Sequence, residues 1–213
     1  KEVYRFNWNS PILISPHDPK TIYLGGNKLF KSRDRGDTWE VSIDLTTQQD
    51  REKLQIMGII PDRNTLSRHD GVSFYGDITT ISESPLKEGL IYVGTDDGNL
   101  QVSRDGGKTW KNTVSKVPGV PKYTSVTRVV ASRFEEGTAY ATFDGHQNDD
   151  FKPYVFMTTD YGESWKSISS NLPEGGTVNV VREHYRNPSL LFAGTERGAY
   201  FSIDRGGTGI KFD

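Results

Sequence analysis

Carboxylates, a histidine and an aromatic residue occur close together in the segment DGHQNDDFKP (144–153). A second segment, SRHDGVSFYGD (67–77), has the same mixture. Paired carboxylates cleave glycosidic bonds when they lie about 5–5.5 Å or about 6.5–9.5 Å apart, one acting as general acid and the other as nucleophile or base. Asp70 and Asp144 are therefore candidate catalytic residues. The alternative interpretation of each is a solvated loop carboxylate.

The same segments also suit a binding surface. Aromatic rings stack on flat apolar groups, while carboxylates accept hydrogen bonds from hydroxyl or amine groups. This chemistry fits a peptide, a protein or a glycan as the partner. The candidate ligand-binding residues are His69, Tyr75, Tyr123, Asp97, His146, Asp149 and Asp150.

Metal and cofactor motifs are missing from the sequence. The carboxylates near His146 do not follow the twelve-position calcium loop with its terminal Glu. His69 and His146 lie in different segments, and the chain has neither an HExxH motif nor a cysteine. No glycine-rich loop follows a strand and opens a helix, and no GxSxG motif occurs. We predict no cofactor and no catalytic metal, with a structural calcium ion as the alternative.

The composition argues against two classes of partner. Acidic residues number 28 and basic residues 26, giving a formal charge of −2 without a run of Lys or Arg. Nucleic acids and anionic membranes attract strongly basic surfaces, so neither is expected to bind. No apolar run reaches the roughly 18 residues of a membrane span, so we expect no membrane insertion. Because residue 1 is Lys and no apolar secretory segment follows, we expect either a trimmed chain or one whose targeting segment has already been removed.

A repeated box must position these segments. SRDRGDTW (Ser32 to Trp39) recurs as SRDGGKTW, as TTDYGESW and, in damaged form, as SIDRGGTG. The Asp is placed to accept backbone N–H bonds within a tight turn, the Gly supplies a positive φ, and the Trp anchors the hairpin by burying about 150–250 Å². We interpret the box residues as structural rather than catalytic. They are Ser32, Asp34, Gly36, Trp39, Ser103, Asp105, Gly107, Trp110, Thr158, Asp160, Gly162, Trp165, Ser202, Asp204 and Gly206.

Each box belongs to a unit of four short strands and forms the turn between the third and fourth. Upstream of the boxes lie TIYLGG, LIYVGT, TAYATF and LLFAGT, and a further apolar run and a turn precede each of these blocks. Such spacing predicts an all-β fold, a β-propeller of four-stranded antiparallel blades with about four blades present. We place a single propeller segment over residues 1–213. Its blades cover about 9–45, 77–115, 125–170 and 177–213, with an inserted loop at 46–76.

The last repeat has Gly209 where the other boxes have Trp. Two interpretations remain open for how its blade is completed. The alternating segment Val3 to Trp8 could pair with it and close the ring, or the four blades could be a fragment of a larger propeller. Unclosed blade edges tend to pair, so we also expect a possible homo-oligomer.

At these boxes the sequence resembles the Asp-box, or bacterial neuraminidase repeat, propellers, which include sialidases, xyloglucan-degrading glycosidases and sortilin-type receptors. FNWNSPILISPHDPKTIYLGGNKLFKSRDRGDTW, SPLKEGLIYVGTDDG and NPSLLFAGTERGAYFS are most similar to large bacterial sortilin-type propeller proteins often labelled glycosyl hydrolases. The resemblance implies an exported protein, extracellular or periplasmic, and a propeller that continues beyond residue 213. Enzymes and receptors share the box, so it leaves the function open.

Strand order assigns the candidate residues to one face. In an up-and-down blade, the turns between strands one and two and between strands three and four lie on one face, which includes the boxes. The other turns and the crossovers between blades lie on the opposite face. Long loops on a rigid scaffold commonly carry binding residues, so the site is predicted on that opposite face. We expect a binding or interaction module for an extracellular peptide, protein or glycan, with part of a glycoside hydrolase and a purely architectural scaffold as alternatives.

Overall fold

The computed structural model describes residues 3–50, 53, 55, 59–60, 62–65 and 75–212, and forms four sheets, each of four strands. Blade 1 contains β1 (Ile12–Ile14), β2 (Ile22–Gly25), β3 (Lys28–Ser32) and β4 (Glu40–Asp44). Blade 2 contains β5 (Ile78–Glu83), β6 (Ile91–Thr95), β7 (Leu100–Ser103) and β8 (Lys111–Asn112). Blade 3 contains β9 (Ser125–Ala131), β10 (Ala139–Gly145), β11 (Asp150–Thr158) and β12 (Lys166–Ser167). Blade 4 contains β13 (Val178–Glu183), β14 (Leu191–Thr195), β15 (Gly198–Ser202) and β16 (Ile210–Lys211).

Every blade is an antiparallel meander in which consecutive strands are neighbours. Successive side chains of a strand point to opposite faces of its sheet, so every sheet has two faces. In blade 2, β6 and β7 are buried at every position, so both faces of that sheet are covered. The prediction of an all-β propeller with four-stranded blades is thus confirmed. In blade 3 the insertion lengthens β10 and β11, and a single 3₁₀ turn at His146–Asn148 joins them.

The apolar core is divided among the junctions between blades. One cluster, between blades 1 and 2, consists of Tyr23, Leu29, Leu45, Ile78, Ile91 and Val93. A second, between blades 2 and 3, includes Tyr92, Leu100, Val126, Val129, Phe143 and Phe156. A third, between blades 3 and 4, consists of Tyr140, Val155, Val178, Val181 and Leu191. Each junction is therefore built from two adjacent sheets.

The first strands of the blades surround a cavity of about 670 Å³, which we call the central channel. Its lining includes residues of β1, β5, β9 and β13. First strands are thus innermost, and the box turns lie farther out along each blade.

The N-terminal segment packs on blade 1. The backbone N–H of Arg5 donates to Asn27 Oδ1 at 3.0 Å, and the N–H of Asn27 donates to the Arg5 carbonyl at 3.0 Å. Phe30 contacts the Tyr4 ring edge-on at a centroid distance of 5.1 Å and stacks with Phe6 at 5.4 Å. The interpretation in which Val3 to Trp8 completes blade 4 is therefore wrong.

The box turns share one geometry, illustrated by the first. Asp34 Oδ1 accepts the N–H of Thr38 at 2.8 Å, and Gly36 has a φ of 103°. The Thr38 hydroxyl and backbone N–H lower the pKa of Asp34 to about 2. In blade 4 the missing Trp is replaced by contacts from the preceding blade: Asn171 donates to the Gly209 carbonyl at 2.9 Å and accepts the Gly209 N–H at 2.7 Å.

The box tryptophans are buried to different extents. Trp165 is only 5% exposed and lies in the cluster between blades 2 and 3, where its Nε1 donates to Thr113 Oγ1 at 3.3 Å. Trp110 packs against the cluster between blades 1 and 2. Trp39 is 41% exposed, so the expectation that it is buried like the others is wrong. The reason is geometric: a box Trp packs on the preceding blade, and blade 1 has none in the described residues.

Candidate functional site

The predicted loop-face residues are placed very differently from one another. His69 and Asp70 lie outside the described residues. Tyr123 is 39% exposed and has a φ of 66°, and its backbone packs tightly on Gly98, where an added Cβ would lie 2.7 Å from the Tyr123 Cα. Tyr75 is partly buried. Tyr123 is thus held firmly on the loop face with part of its surface open to solvent.

Asp97 is fully buried. Its Oδ1 accepts the Thr95 hydroxyl at 2.6 Å, and its Oδ2 accepts both the N–H and the hydroxyl of Thr47 at 2.7 Å. These bonds tie the turn after β6 to the segment after β4. The carboxylate therefore faces inward and serves the fold.

Asp144 and His146 lie together on the loop face. His146 Nδ1 is 2.7 Å from Asp144 Oδ1, and His146 Nε2 is 3.0 Å from Oε1 of Glu196, in the turn after β14. Phe151 contacts the imidazole edge-on at 4.7 Å. The hydrogen bond that the imidazole donates to Asp144 raises the pKa of His146, and the charges of Asp144 and Glu196 add to this effect. His146 thus connects the blade 3 insertion to Glu196 of blade 4. The sequence alone did not reveal this contact.

The two remaining predicted carboxylates lie on the same insertion. Asp149 is exposed and ends the 3₁₀ turn with a φ of 56°. Asp150 accepts the Tyr154 hydroxyl at 2.6 Å. Burial raises the pKa of that phenol, and the bond to Asp150 raises it further. Asp150 therefore stabilises the base of the insertion, whereas Asp149 is open to solvent.

Three aspartates meet where blades 1 and 2 adjoin on the loop face. Asp96 Oδ1 accepts the N–H groups of Gly76 and Asp77 at 3.0 and 2.8 Å. Burial raises the pKa of Asp96 to about 7, with Asp97 and Asp77 contributing by charge repulsion. Asp77 is fully buried, neither of its oxygens has a hydrogen-bond partner, and burial raises its pKa as well. Within the described ranges, no three His, Cys, Asp or Glu side chains are grouped as a metal site.

The central channel contains a cluster of charge that sequence reasoning missed. Arg128, Arg133 and Arg182 line it, with Glu183 as an acidic neighbour. The Arg128 Nε is buried without a hydrogen-bond partner. Burial lowers the pKa of Arg182, and the charge of Arg128 lowers it further. The guanidinium groups of Arg128 and Arg182 therefore repel each other. The Arg182 side chain is nevertheless exposed to solvent.

No ion pair between Glu183 and these arginines is found among the described residues, and the Glu183 oxygens accept hydrogen bonds from other groups. Its Oε1 accepts the hydroxyls of Ser132 and Tyr140 at 2.8 and 3.2 Å, and its Oε2 accepts the N–H of Arg133 at 2.9 Å. In the sequence, Arg128 and Arg182 look like ordinary polar positions of strands β9 and β13. The first strands of propeller blades line the central axis. The alternation of these arginines with buried valines was therefore the sequence feature that could have indicated a position facing the channel.

The segment comprising most of β7, its box turn and β8, residues 101–112, matches the family described as "BNR/Asp-box repeat". This chain is therefore a β-propeller that carries an Asp-box repeat. No curated protein is similar enough to this chain to count as a match. No helix among the residues that the structure describes is long and apolar enough to span a bilayer.

Solved structures with the same fold come from different proteins. The GH74 xyloglucanase from Xanthomonas campestris is 22% identical, with a TM-score of 0.63 over 95% of this propeller chain and 29% of that chain. YCF48 from Cyanidioschyzon merolae is 19% identical, with a TM-score of 0.51 over 94% of this chain and 52% of that chain. The propeller thus spans about a third to half of these proteins, and the likeness shows the fold alone.

Proposed function

We propose that this propeller is an exported binding module that takes an anionic group of an extracellular peptide, protein or glycan into its central channel. The observation that carries the proposal is the pair Arg128 and Arg182. These side chains line one cavity, and burial together with the neighbouring guanidinium makes the charge of Arg182 less favourable.

A bound anion would relieve the repulsion between the two guanidinium groups and give an acceptor to the Arg128 Nε, which is buried without a hydrogen-bond partner. Arg182 is exposed and donates to the Val181 carbonyl at 3.4 Å, so it is accessible to such a ligand. Arginine forks match carboxylates and other planar or tetrahedral anions well. The other lining residues include Pro11, Ile12, Leu13 and Ile81, which offer apolar surface beside the charge. A ligand with an acidic group on an apolar or sugar framework fits this combination.

The proposal can be tested with paired probes. Peptides with a free C-terminal carboxylate are compared with the same peptides amidated, and uronic-acid oligosaccharides with their neutral counterparts, by titration calorimetry. The acidic member of a pair is expected to bind at least about tenfold more tightly, with the difference shrinking at high salt.

Channel variants provide the second half of the test. Arg128→Gln and Arg182→Gln are each expected to weaken binding by roughly 10- to 100-fold, because each loses a charge-assisted hydrogen bond. Arg186→Gln is the matched control, because Arg186 lies outside the channel, over the ring of Tyr185 at 5.0 Å. Equal binding of the acidic and neutral probes, or unchanged binding by both channel variants, would contradict the proposal.

A second candidate function, part of a glycoside hydrolase, is favoured by Asp96. A general acid must stay protonated near neutral pH, and burial raises the pKa of Asp96 to about 7. Hydrolysis of aryl glycosides or xyloglucan by the chain, abolished in Asp96→Asn with folding intact, would support this candidate. Absence of turnover in both proteins would remove it and leave the binding proposal untouched.

A further inference from the structure

The lining of the central channel carries more positive charge than a single carboxylate can balance. Arg128, Arg133 and Arg182 line it, and Glu183 is the one acidic side chain among the described lining residues. All four belong to blades 3 and 4, which adjoin each other within the chain. The described lining therefore has an excess of two positive charges.

The guanidinium groups of these arginines keep most of their hydrogen-bond donors free. In the described part of the chain, the side chains of Arg128 and Arg133 donate no hydrogen bond, and the Arg128 Nε is buried. Arg182 donates only to the Val181 carbonyl, at 3.4 Å. A guanidinium has five N–H donors in a planar fork that matches the oxygens of a phosphate. The channel thus contains several unused forks.

A doubly charged tetrahedral anion fits these donors better than a carboxylate does. A phosphomonoester carries a charge of about −1.5 to −2 at pH 7 and has three strong acceptor oxygens. It can therefore accept hydrogen bonds from Arg128 and Arg182 together, and its charge offsets both of these guanidinium groups, which otherwise repel each other. A carboxylate has a single charge and two oxygens, so it leaves part of that repulsion in place.

The channel presents side chains rather than a free strand edge at blade 3. The backbone N–H of Val129 on β9 donates to the Thr80 hydroxyl at 3.1 Å. The N–H of Ala131 donates to the Ser82 hydroxyl at 2.9 Å. A peptide that binds as an added strand needs such N–H groups unpaired. This arrangement favours a sugar over an extended peptide as the carrier of the anionic group.

We propose that the anionic group taken into the central channel is the phosphomonoester of a phosphorylated sugar, held between Arg128 and Arg182. This inference rests on the proposed binding function and narrows its ligand to one chemical class.

Four sugars with one ring framework test the proposal. Glucose 6-phosphate, glucose 6-sulfate, glucuronate and glucose are titrated into the chain by calorimetry, at low salt and in a buffer without phosphate. Glucose 6-phosphate is expected to bind at least about tenfold more tightly than glucuronate and than glucose 6-sulfate, which has three terminal oxygens but one charge. Arg128→Gln and Arg182→Gln are each expected to reduce this preference to under about threefold, whereas the control Arg186→Gln keeps it.

The other outcomes separate this inference from the proposed function. Glucuronate binding as tightly as glucose 6-phosphate overturns the inference and leaves the proposed function standing. Equal binding of the sulfate and the phosphate also overturns it, because the second charge would then be irrelevant. A phosphoserine peptide that binds more tightly than glucose 6-phosphate overturns the choice of a sugar. If no acidic sugar binds but a peptide carboxylate does, this inference fails alone, and if neither binds, both fail.

Discussion

At the scale of single residues, the box aspartates are held by the turns that they help to form. Asp105 Oδ1 accepts the N–H of Thr109 at 2.9 Å, and its Oδ2 accepts the Thr109 hydroxyl at 2.6 Å. These bonds favour the ionised carboxylate and lower its pKa to about 2. A carboxylate in this state cannot serve as a general acid near neutral pH, which agrees with a structural role.

The box tryptophans should differ in their contribution to stability. Trp165→Ala is expected to lower the free energy of unfolding by about 3–5 kcal/mol, because the ring is buried in the cluster between blades 2 and 3. Trp39→Ala should cost less than about 2 kcal/mol, because its ring is 41% exposed. Urea denaturation of both variants measures the difference, and equal losses would contradict the packing described.

At the scale of blades, the tyrosine hydroxyls give a matched set of probes. Tyr23→Phe removes the donor to buried Glu83 and is expected to cost about 1–3 kcal/mol. The hydroxyl of Tyr92 is buried without a hydrogen-bond partner. Ala131 ends β9 at the position that Glu83 has at the end of β5, and alanine offers no side-chain acceptor. Tyr92→Phe should therefore be neutral or stabilising. Denaturation curves in which Tyr92→Phe is the more damaging change would refute this account of the junctions.

His146 should make the contact between blades 3 and 4 depend on pH. Its carboxylate neighbours raise its pKa above the ordinary 6.5, so protonation favours the folded state. The stabilisation is fully present below pH 6.5 and is lost as the pH rises through the raised pKa. His146→Gln is expected to flatten this part of the curve of unfolding free energy against pH. Identical pH profiles for the variant and the parent chain would contradict the role assigned to the imidazole.

At the scale of the whole molecule, the architecture was predictable because its causes are local. Each box specifies a turn within eight residues, and the short apolar runs between turns allow little except consecutive hairpins. The channel arginines were not predictable in this way, because the direction of Arg128 and Arg182 depends on how four sheets are arranged about an axis. The contact of His146 with Glu196 likewise joins two blades, and no local pattern encodes it.

The division of the core into separate junctions has a consequence for the history of such genes. Each sheet presents one face to the sheet before it and another to the sheet after it, so a duplicated coding segment produces a unit that already fits both neighbours. Tandem duplication or deletion can therefore change ring size in one genetic event. A protein with a single shared core would need coordinated changes throughout its interior to do the same.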